Sequence, residues 1–367
     1  MKTKKMRYVW FLVILCIFCL TLFLARTRSK VVMRNRIYHQ WNEHFVVSKG
    51  KESYVRTTND SNQTVVLSEA QSYGMLITVA AAKKGQAQQA DFDRLYHYYL
   101  NHRLEGTQLM SWKQTISNGK AKDEDHNATD GDLYIAYALL EAAQQWPKQA
   151  KDYQAQAKAI LEDILAHNYN EETGVLTVGN WANQDSEFYH LMRTSDTLPA
   201  QFQIFYEVTK DSKWLDIKEK MLQQLQTISS QTKTGLLPDF IWVDEQGTRV
   251  ADPKTIESKY DGAYSYNACR LPYNLVQSKD KTSQQLVKKM LNFFKSQRNL
   301  YAGYDLKGKA LNNHQAASFL APIVYASEHE KGYLKLVQQN KYIFTQDLPL
   351  NNYYDATMTT MIALELF

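Results

Sequence analysis

Hydrophobic and polar positions divide the chain into three regimes. Tyr8 to Ala25 (YVWFLVILCIFCLTLFLA) is an uncharged apolar run of 18 residues, about the minimum that spans a bilayer. Residues 26–40 are basic and polar, and read as a tether. From residue 41 onward, apolar positions recur at helical spacing between short polar breaks. Ser68 to Lys83 places Tyr73, Met75, Leu76, Val79 and Ala80 in such a pattern. The same periodicity predicts helices over Phe92 to Leu100, Leu133 to Trp146, Tyr153 to His167, Ala200 to Val208 and Trp214 to Ile228. Four more follow at Ser283 to Gln297, Ala316 to Ala326, Tyr333 to Gln339 and Thr357 to Phe367. Strand-like alternation is sparse, so the body reads as mainly α. Many short helices joined by loops suit an α/α toroid or a helical solenoid. No repeat at a fixed period of about 34 or 40 residues is visible, which weakens the solenoid.

Lys2, Lys4, Lys5 and Arg7 precede the apolar run, so the positive-inside rule predicts a cytoplasmic N-terminus and an exported body. The expected organisation is a basic tail at 1–7, a spanning anchor at 8–25, a tether at 26–40 and a body at 41–367. A cleaved signal peptide ending near Ala25 is the alternative. The run is long for a signal core, and Phe23 spoils a small-x-small cleavage site.

At 44% hydrophobic and 22% charged residues, the composition is that of a globular chain rather than a disordered one. The net charge of +5 belongs to the N-terminus. Nine of the 43 basic residues precede the first acidic one, which leaves 34 basic against 38 acidic residues in the rest. A mildly acidic body lacks the basic face of a nucleic-acid binder. Cys16 and Cys19 lie in the apolar run, and Cys269 stands alone in the body. Neither a disulfide, nor a Cys/His metal cluster, nor any other cofactor motif is indicated.

Two stretches carry candidate chemistry: Ser68-Glu69-Ala70-Gln71-Ser72-Tyr73-Gly74-Met75, and Ala128-Thr129-Asp130-Gly131-Asp132 followed by an apolar helix ending at Trp146. Taken singly, each reads as a capped helix start, with acidic residues favouring the helix dipole. Together they resemble the pattern of glycoside hydrolase family 8. Further islands of resemblance are Leu109 to Lys113, Gly235 to Phe240, Tyr266 to Pro272 and Tyr353 to Asp355.

The resemblance implies an (α/α)6 barrel with an acidic cleft that hydrolyses β-1,4-linked glycans with inversion. Inversion needs two carboxyl groups about 6.5–9.5 Å apart, one protonating the leaving oxygen and one activating water. By the resemblance, Glu69 is the general acid and Asp130 contacts the sugar at the cleavage subsite. Asp132 either caps its helix or touches substrate. The family's usual base position is Asn267, whose neutral amide cannot accept a proton from water. Asp239 and Asp261 are the candidate replacements. The alternative is a catalytically impaired, membrane-anchored glycan-binding protein of an export complex. Arg270 would orient a carboxylate or the substrate. Tyr73 and Trp112 are expected at the sugar, with Trp181, Tyr189, Trp242 and Tyr264 as weaker candidates. The segment Arg193-Thr194-Ser195-Asp196 replaces a familiar Asn-Pro-Ser-Tyr, which implies an altered sugar preference. The expected partners are a polysaccharide made by the same cell and the membrane, with an exopolysaccharide synthase or export complex as a further candidate.

Overall fold

The computed structural model describes residues 2–58 and 63–367, without the side chains of residues 2–5 and 7. The side chains of the expected basic tail therefore lie outside the described atoms. Twelve α-helices account for most of the described chain. Those at even places form an inner ring: α2 (Ser68–Lys83), α4 (Thr129–Gln145), α6 (Pro199–Thr209), α8 (Leu271–Val276), α10 (Ala317–His329) and α12 (Tyr353–Leu366). Outside them pack α1 (Lys2–Phe45), α3 (Gln89–Asn101), α5 (Ala150–His167), α7 (Lys213–Ser230), α9 (Lys281–Ser296) and α11 (Leu334–Asn340).

Burial separates the two layers most clearly at α4 and α5. In α4, 13 of 17 residues are buried, whereas in α5 only 5 of 18 are. A helix apolar all round belongs inside, and a helix with one apolar stripe belongs outside. Successive inner helices touch from α6 through α8, α10 and α12 back to α2 and α4, and the turn at Thr194–Asp196 joins α4 to α8. The result is an (α/α)6 barrel.

All ten helices predicted in the body are present within a few residues of their expected ends. The one helix of the body that periodicity missed, α8, spans six residues and carries Pro272 in its first turn. That is too short for a helical period to register.

Helix α1 departs most from expectation. The segment 26–40, read as a tether, is helical throughout and continuous with the apolar run. Its end is the barrel's first outer helix: Ile37, Tyr38, Trp41 and Phe45 are buried. It packs antiparallel to α12. Arg34 Nη1 donates to the Phe367 carbonyl at 2.9 Å, Trp41 Nε1 to Thr357 Oγ1 at 2.9 Å, and the Phe45 ring meets Tyr353 at 5.9 Å. Among the described residues α1 is the one helix long and apolar enough to cross a membrane, and its apolar window, with mean hydropathy 2.7, is wholly unburied.

Three small antiparallel sheets lie in the outer-to-inner connections. They are β1 (Val46–Lys49) with β2 (Glu52–Val55); β3 (Thr64–Leu67), β4 (Lys113–Ser117) and β5 (Lys120–Asp123); and β6 (Leu191–Arg193), β7 (Phe240–Asp244) and β8 (Gly247–Val250). All lie at the end of the barrel where the inner helices begin.

Candidate active site

Strand β3 runs directly into α2, so Glu69 falls in that helix's first turn, and Asp130 falls likewise in the first turn of α4. Neither N-cap residue, Leu67 or Ala128, makes a side-chain cap hydrogen bond. These carboxylates therefore do not cap their helices, although both lie in the first turn, where the helix dipole favours a negative charge. The two helix starts approach so closely that a Cβ at Gly131 would lie 2.2 Å from Ser68 Oγ. Only glycine fits there. This contact explains the Asp-Gly-Asp pattern: the glycine lets α4 bring Asp130 beside Glu69.

Arg270, wholly buried just before α8, joins the floor of the site. Its Nη1 donates to Glu69 Oε2 at 2.8 Å, Tyr73 Oη at 3.0 Å and Asp130 Oδ2 at 3.1 Å. Its Nη2 donates to Ser195 Oγ at 2.7 Å and Asn267 Oδ1 at 3.0 Å. A planar fork with fixed donors suits this task where a lysine would not. Arg193 adds a second cation, 3.0 Å from Asp130 Oδ1. Removing the buried guanidinium leaves Glu69 without its close cation and Asp130 with Arg193 alone, so Arg270→Ala is expected to lower the unfolding free energy by about 3–5 kcal/mol. Denaturant unfolding followed by tryptophan fluorescence checks this.

The electrostatics drive the two carboxylates apart. Burial pushes Glu69 up to about 7; Asp130 and Glu257 add to the rise, and Arg270 and Arg193 oppose it. Burial also works to raise Asp130, but Arg193 and Arg270 outweigh it and hold that carboxyl below its usual range. Glu69 keeps 20% of its side chain open to the cleft, against 7% for Asp130. The site thus holds a recessed, protonatable acid beside a carboxylate kept ionised, the divergence that assigns acid–base roles.

The cleft above this floor has a volume of about 330 Å³. Glu69, Asp130, Trp112, Asn267, Tyr353 and Glu257 are among the residues lining it. Glu257 was not singled out in the sequence. Its carboxylate, 44% exposed, accepts from Asn267 Nδ2 at 2.8 Å and lies 3.5 Å from Arg193 Nη2. Its loop carries no periodicity and no island of resemblance, and the one hint was the neutral residue at position 267.

The two carboxylates proposed from sequence as bases take other positions. Asp239 is 3% exposed and does not line the cleft; its Oδ1 accepts the backbone amides of Ser265, Asn267 and Ala268 at 3.1, 3.2 and 2.7 Å. It fixes the loop that carries Asn267. Asp261, fully buried, accepts the amides of Ile256, Glu257 and Ser258 at 2.8, 3.1 and 2.7 Å. It shapes the turn that presents Glu257. Asp132 accepts from the Met110 amide and from Asn127 Nδ2, fully buried and away from the cleft. Tyr73 is buried too, and positions Arg270 rather than facing a ligand.

Of the aromatic candidates, Trp112 lines the cleft and stacks on His126 at 5.8 Å. Trp181 meets the other edge of His126 at 6.2 Å and packs in a small apolar cluster with Phe188 and Trp242. Tyr189 and Tyr264 are buried. Tyr353 and Tyr354, from an island whose role the sequence left open, line the cleft with the half-exposed Tyr266. Among the described residues no group of His, Cys, Asp and Glu side chains is placed to hold a metal ion.

A helical barrel with a carboxylate cleft at the starts of its inner helices is a scaffold that suits glycoside hydrolysis. The family model for glycosyl hydrolases family 8 matches residues 13–365. The chain belongs to that family. A β-glucanase of Niallia circulans is 31% identical over 298 residues, covering 78% of this chain and 72% of that protein. An endoglucanase of Bacillus sp. (strain KSM-330) is 30% identical over 275 residues, and the aligned part spans 58% of its length. The apo β-1,3-1,4-glucanase from Paenibacillus sp. X4 superposes with a TM-score of 0.83 at 25% identity, covering 93% of this chain and 92% of that one.

Proposed function

We propose that the protein is an inverting, endo-acting β-glucanase in which Glu69 is the general acid and Glu257 the general base. The carrying observation is Glu257: a half-exposed carboxylate in the same cleft as Glu69, hydrogen-bonded to the neutral Asn267 at the family's base position. Between the two carboxylates stand the Arg270 guanidinium and the Asn267 amide, linked by contacts of 2.8, 3.0 and 2.8 Å. Two interposed side chains support a pair too far apart for direct attack by Glu257 on the sugar, the arrangement that inversion requires. Glu69 gives its proton to the leaving glycosidic oxygen as the bond to the anomeric carbon breaks. Glu257 takes a proton from the water that attacks the opposite face. Asp130, held ionised, accepts hydrogen bonds from the sugar at the cleaved bond. Because Glu257 supplies the carboxylate that Asn267 cannot, the reading as an impaired glycan-binding protein loses its main support.

The nearest-named activities among the relatives are β-glucanase and endoglucanase, which favours a β-1,4-linked glucan, including mixed-linkage glucan. Helix α1 is read as a membrane anchor that holds the barrel outside the cell, where a polysaccharide exported by the same cell passes. Reducing-end release by the protein on mixed-linkage glucan, carboxymethyl cellulose, xylan, chitosan and the host's own exopolysaccharide tests the substrate. Release on none of them overturns the reading.

Two further outcomes follow from the geometry. Asp261→Asn weakens the fork that aims Glu257, and is expected to lower kcat by about tenfold, the worth of one hydrogen bond to a charged group. KM should stay near its original value in initial-rate measurements, because no sugar contact is lost. Trp112→Ala removes a stacking face, and is expected to raise KM by about 5–50-fold with a smaller change in kcat, as for the loss of a large aromatic contact.

A further inference from the structure

Helix α1 passes without interruption from its apolar run into the barrel wall, and no glycine or proline occurs within it. Its antiparallel packing on α12 fixes which end of the barrel it enters. Arg34 sits at Phe367, where α12 ends, and Phe45 sits at Tyr353, where α12 begins and the cleft opens. At 1.5 Å per residue, the near end of the barrel stands about 13 Å beyond Ala25, and the level of the cleft about 30 Å beyond it.

That near end also gathers the inner-to-outer connections. The final turns of α2, α8, α10 and α12 share an opening of about 430 Å³ there, bounded by Lys83, Lys84, Gln277, Tyr325 and Glu365. The connections after α2, α4, α6 and α8 carry a repeated feature. Each brings a pair of exposed lysines: Lys83 and Lys84, Lys148 and Lys151, Lys210 and Lys213, Lys279 and Lys281. Lys83 pairs with Glu141, the acidic residues beside the other lysines are Asp152, Asp211 and Asp280, and the end of α10 with its connection to α11 carries Glu328 and Glu330 with Lys331. Asp211 and Asp280 accept backbone amides at the starts of α7 and α9. Arg26, Arg28 and Lys30 extend the same charge down α1. At the opposite end the connection at 168–198 holds five acidic residues against one basic, although lysines also stand at that end at Lys120, Lys122, Lys307 and Lys309.

We propose that this lysine-bearing base of the barrel is a docking surface for anionic phospholipid headgroups, and that the cleft is thereby held facing away from the bilayer. The inference rests on the reading of α1 as a membrane anchor. The headgroup layer extends roughly 5–7 Å past the hydrocarbon edge. The gap that remains to the base is within about one Debye length at physiological salt, and the lysine side chains reach into it. Juxtamembrane lysines are drawn to such a surface. Insertion of α1 alone would leave the barrel to tilt with its helix; contacts around the base brace it against the surface.

The test is lysine footprinting of the full chain reconstituted in vesicles of phosphatidylcholine, or of phosphatidylcholine with phosphatidylglycerol. Amine acylation is read by mass spectrometry. In the anionic vesicles Lys84, Lys148, Lys151, Lys210, Lys213, Lys279 and Lys281 should lose reactivity at least about threefold. The protection should relax in about 0.5 M NaCl, where screening shortens the reach of the field. Lys120, Lys122, Lys307 and Lys309, exposed in connections at the cleft end, should not change. Protein retained through alkaline carbonate washing but labelled alike in both vesicles overturns the docking surface alone. Release by carbonate overturns the anchor, and the docking surface with it. Protection of the cleft-end lysines instead overturns the orientation.

Discussion

Glu257→Gln is expected to leave a folded barrel and to lower kcat on a β-glucan by about 10²–10⁴-fold, the contribution of a positioned general base. The substitution keeps the volume of the side chain and its ability to accept from Asn267 Nδ2, so the loop should hold. What is lost is the capacity to take a proton from water. A small anionic nucleophile needs no such proton transfer. Azide should therefore restore turnover in Glu257→Gln, by attacking the anomeric carbon while Glu69 still protonates the leaving oxygen, and the product is a glycosyl azide of inverted configuration. Asp239→Asn provides the contrast. Its carboxylate holds three amides from a buried position, so its loss should lower stability and gain nothing from azide. If Asp239→Asn showed azide rescue and Glu257→Gln kept full activity, the base assignment would be reversed.

The way the site was and was not legible follows from where each residue sits. Glu69, Asp130 and Arg270 belong to helix starts that must meet: Gly131 tolerates no side chain against Ser68, and Arg270 must reach two helices at once. Geometry that tight confines the sequence to a pattern, and the pattern could be read. The periodicity of the ten predicted body helices was legible for a similar reason, since each must bury one face or all of its surface. Glu257 is different. It lies in an irregular loop whose shape is set by backbone amides converging on Asp261, and amides carry no sequence information. From sequence, an acidic residue that organises a loop and one that faces the cleft look the same, which is why Asp239, which holds the Asn267 loop, and Asp261, which holds the Glu257 turn, read as cleft carboxylates. The tether at 26–40 was misread because its polar residues were counted without regard to face. Arg34, Ile37, Tyr38, Trp41 and Phe45 form one buried stripe along the part of the helix that packs on the barrel.

Glu69→Gln is expected to lower kcat by about 10³–10⁴-fold, because an alkoxide leaving group must depart with a proton. The wild-type pH profile shows why the residue works near neutrality. A general acid must be protonated, and burial holds Glu69 up to about 7. The rate in kcat/KM should therefore be sustained below that pH and fall as pH rises through about 7. Asp130→Asn moves this limb in a defined direction. The Asp130 charge helps to raise Glu69, and it also shares Arg270 Nη1 with it. Neutralising Asp130 removes the repulsion and leaves the guanidinium more fully to Glu69, and both changes favour the ionised form. The alkaline limb should shift to lower pH, alongside a loss of rate from the missing sugar contact. A limb that stays fixed in Asp130→Asn, or one that persists in the residual activity of Glu69→Gln, would assign the titration near 7 to a group other than Glu69.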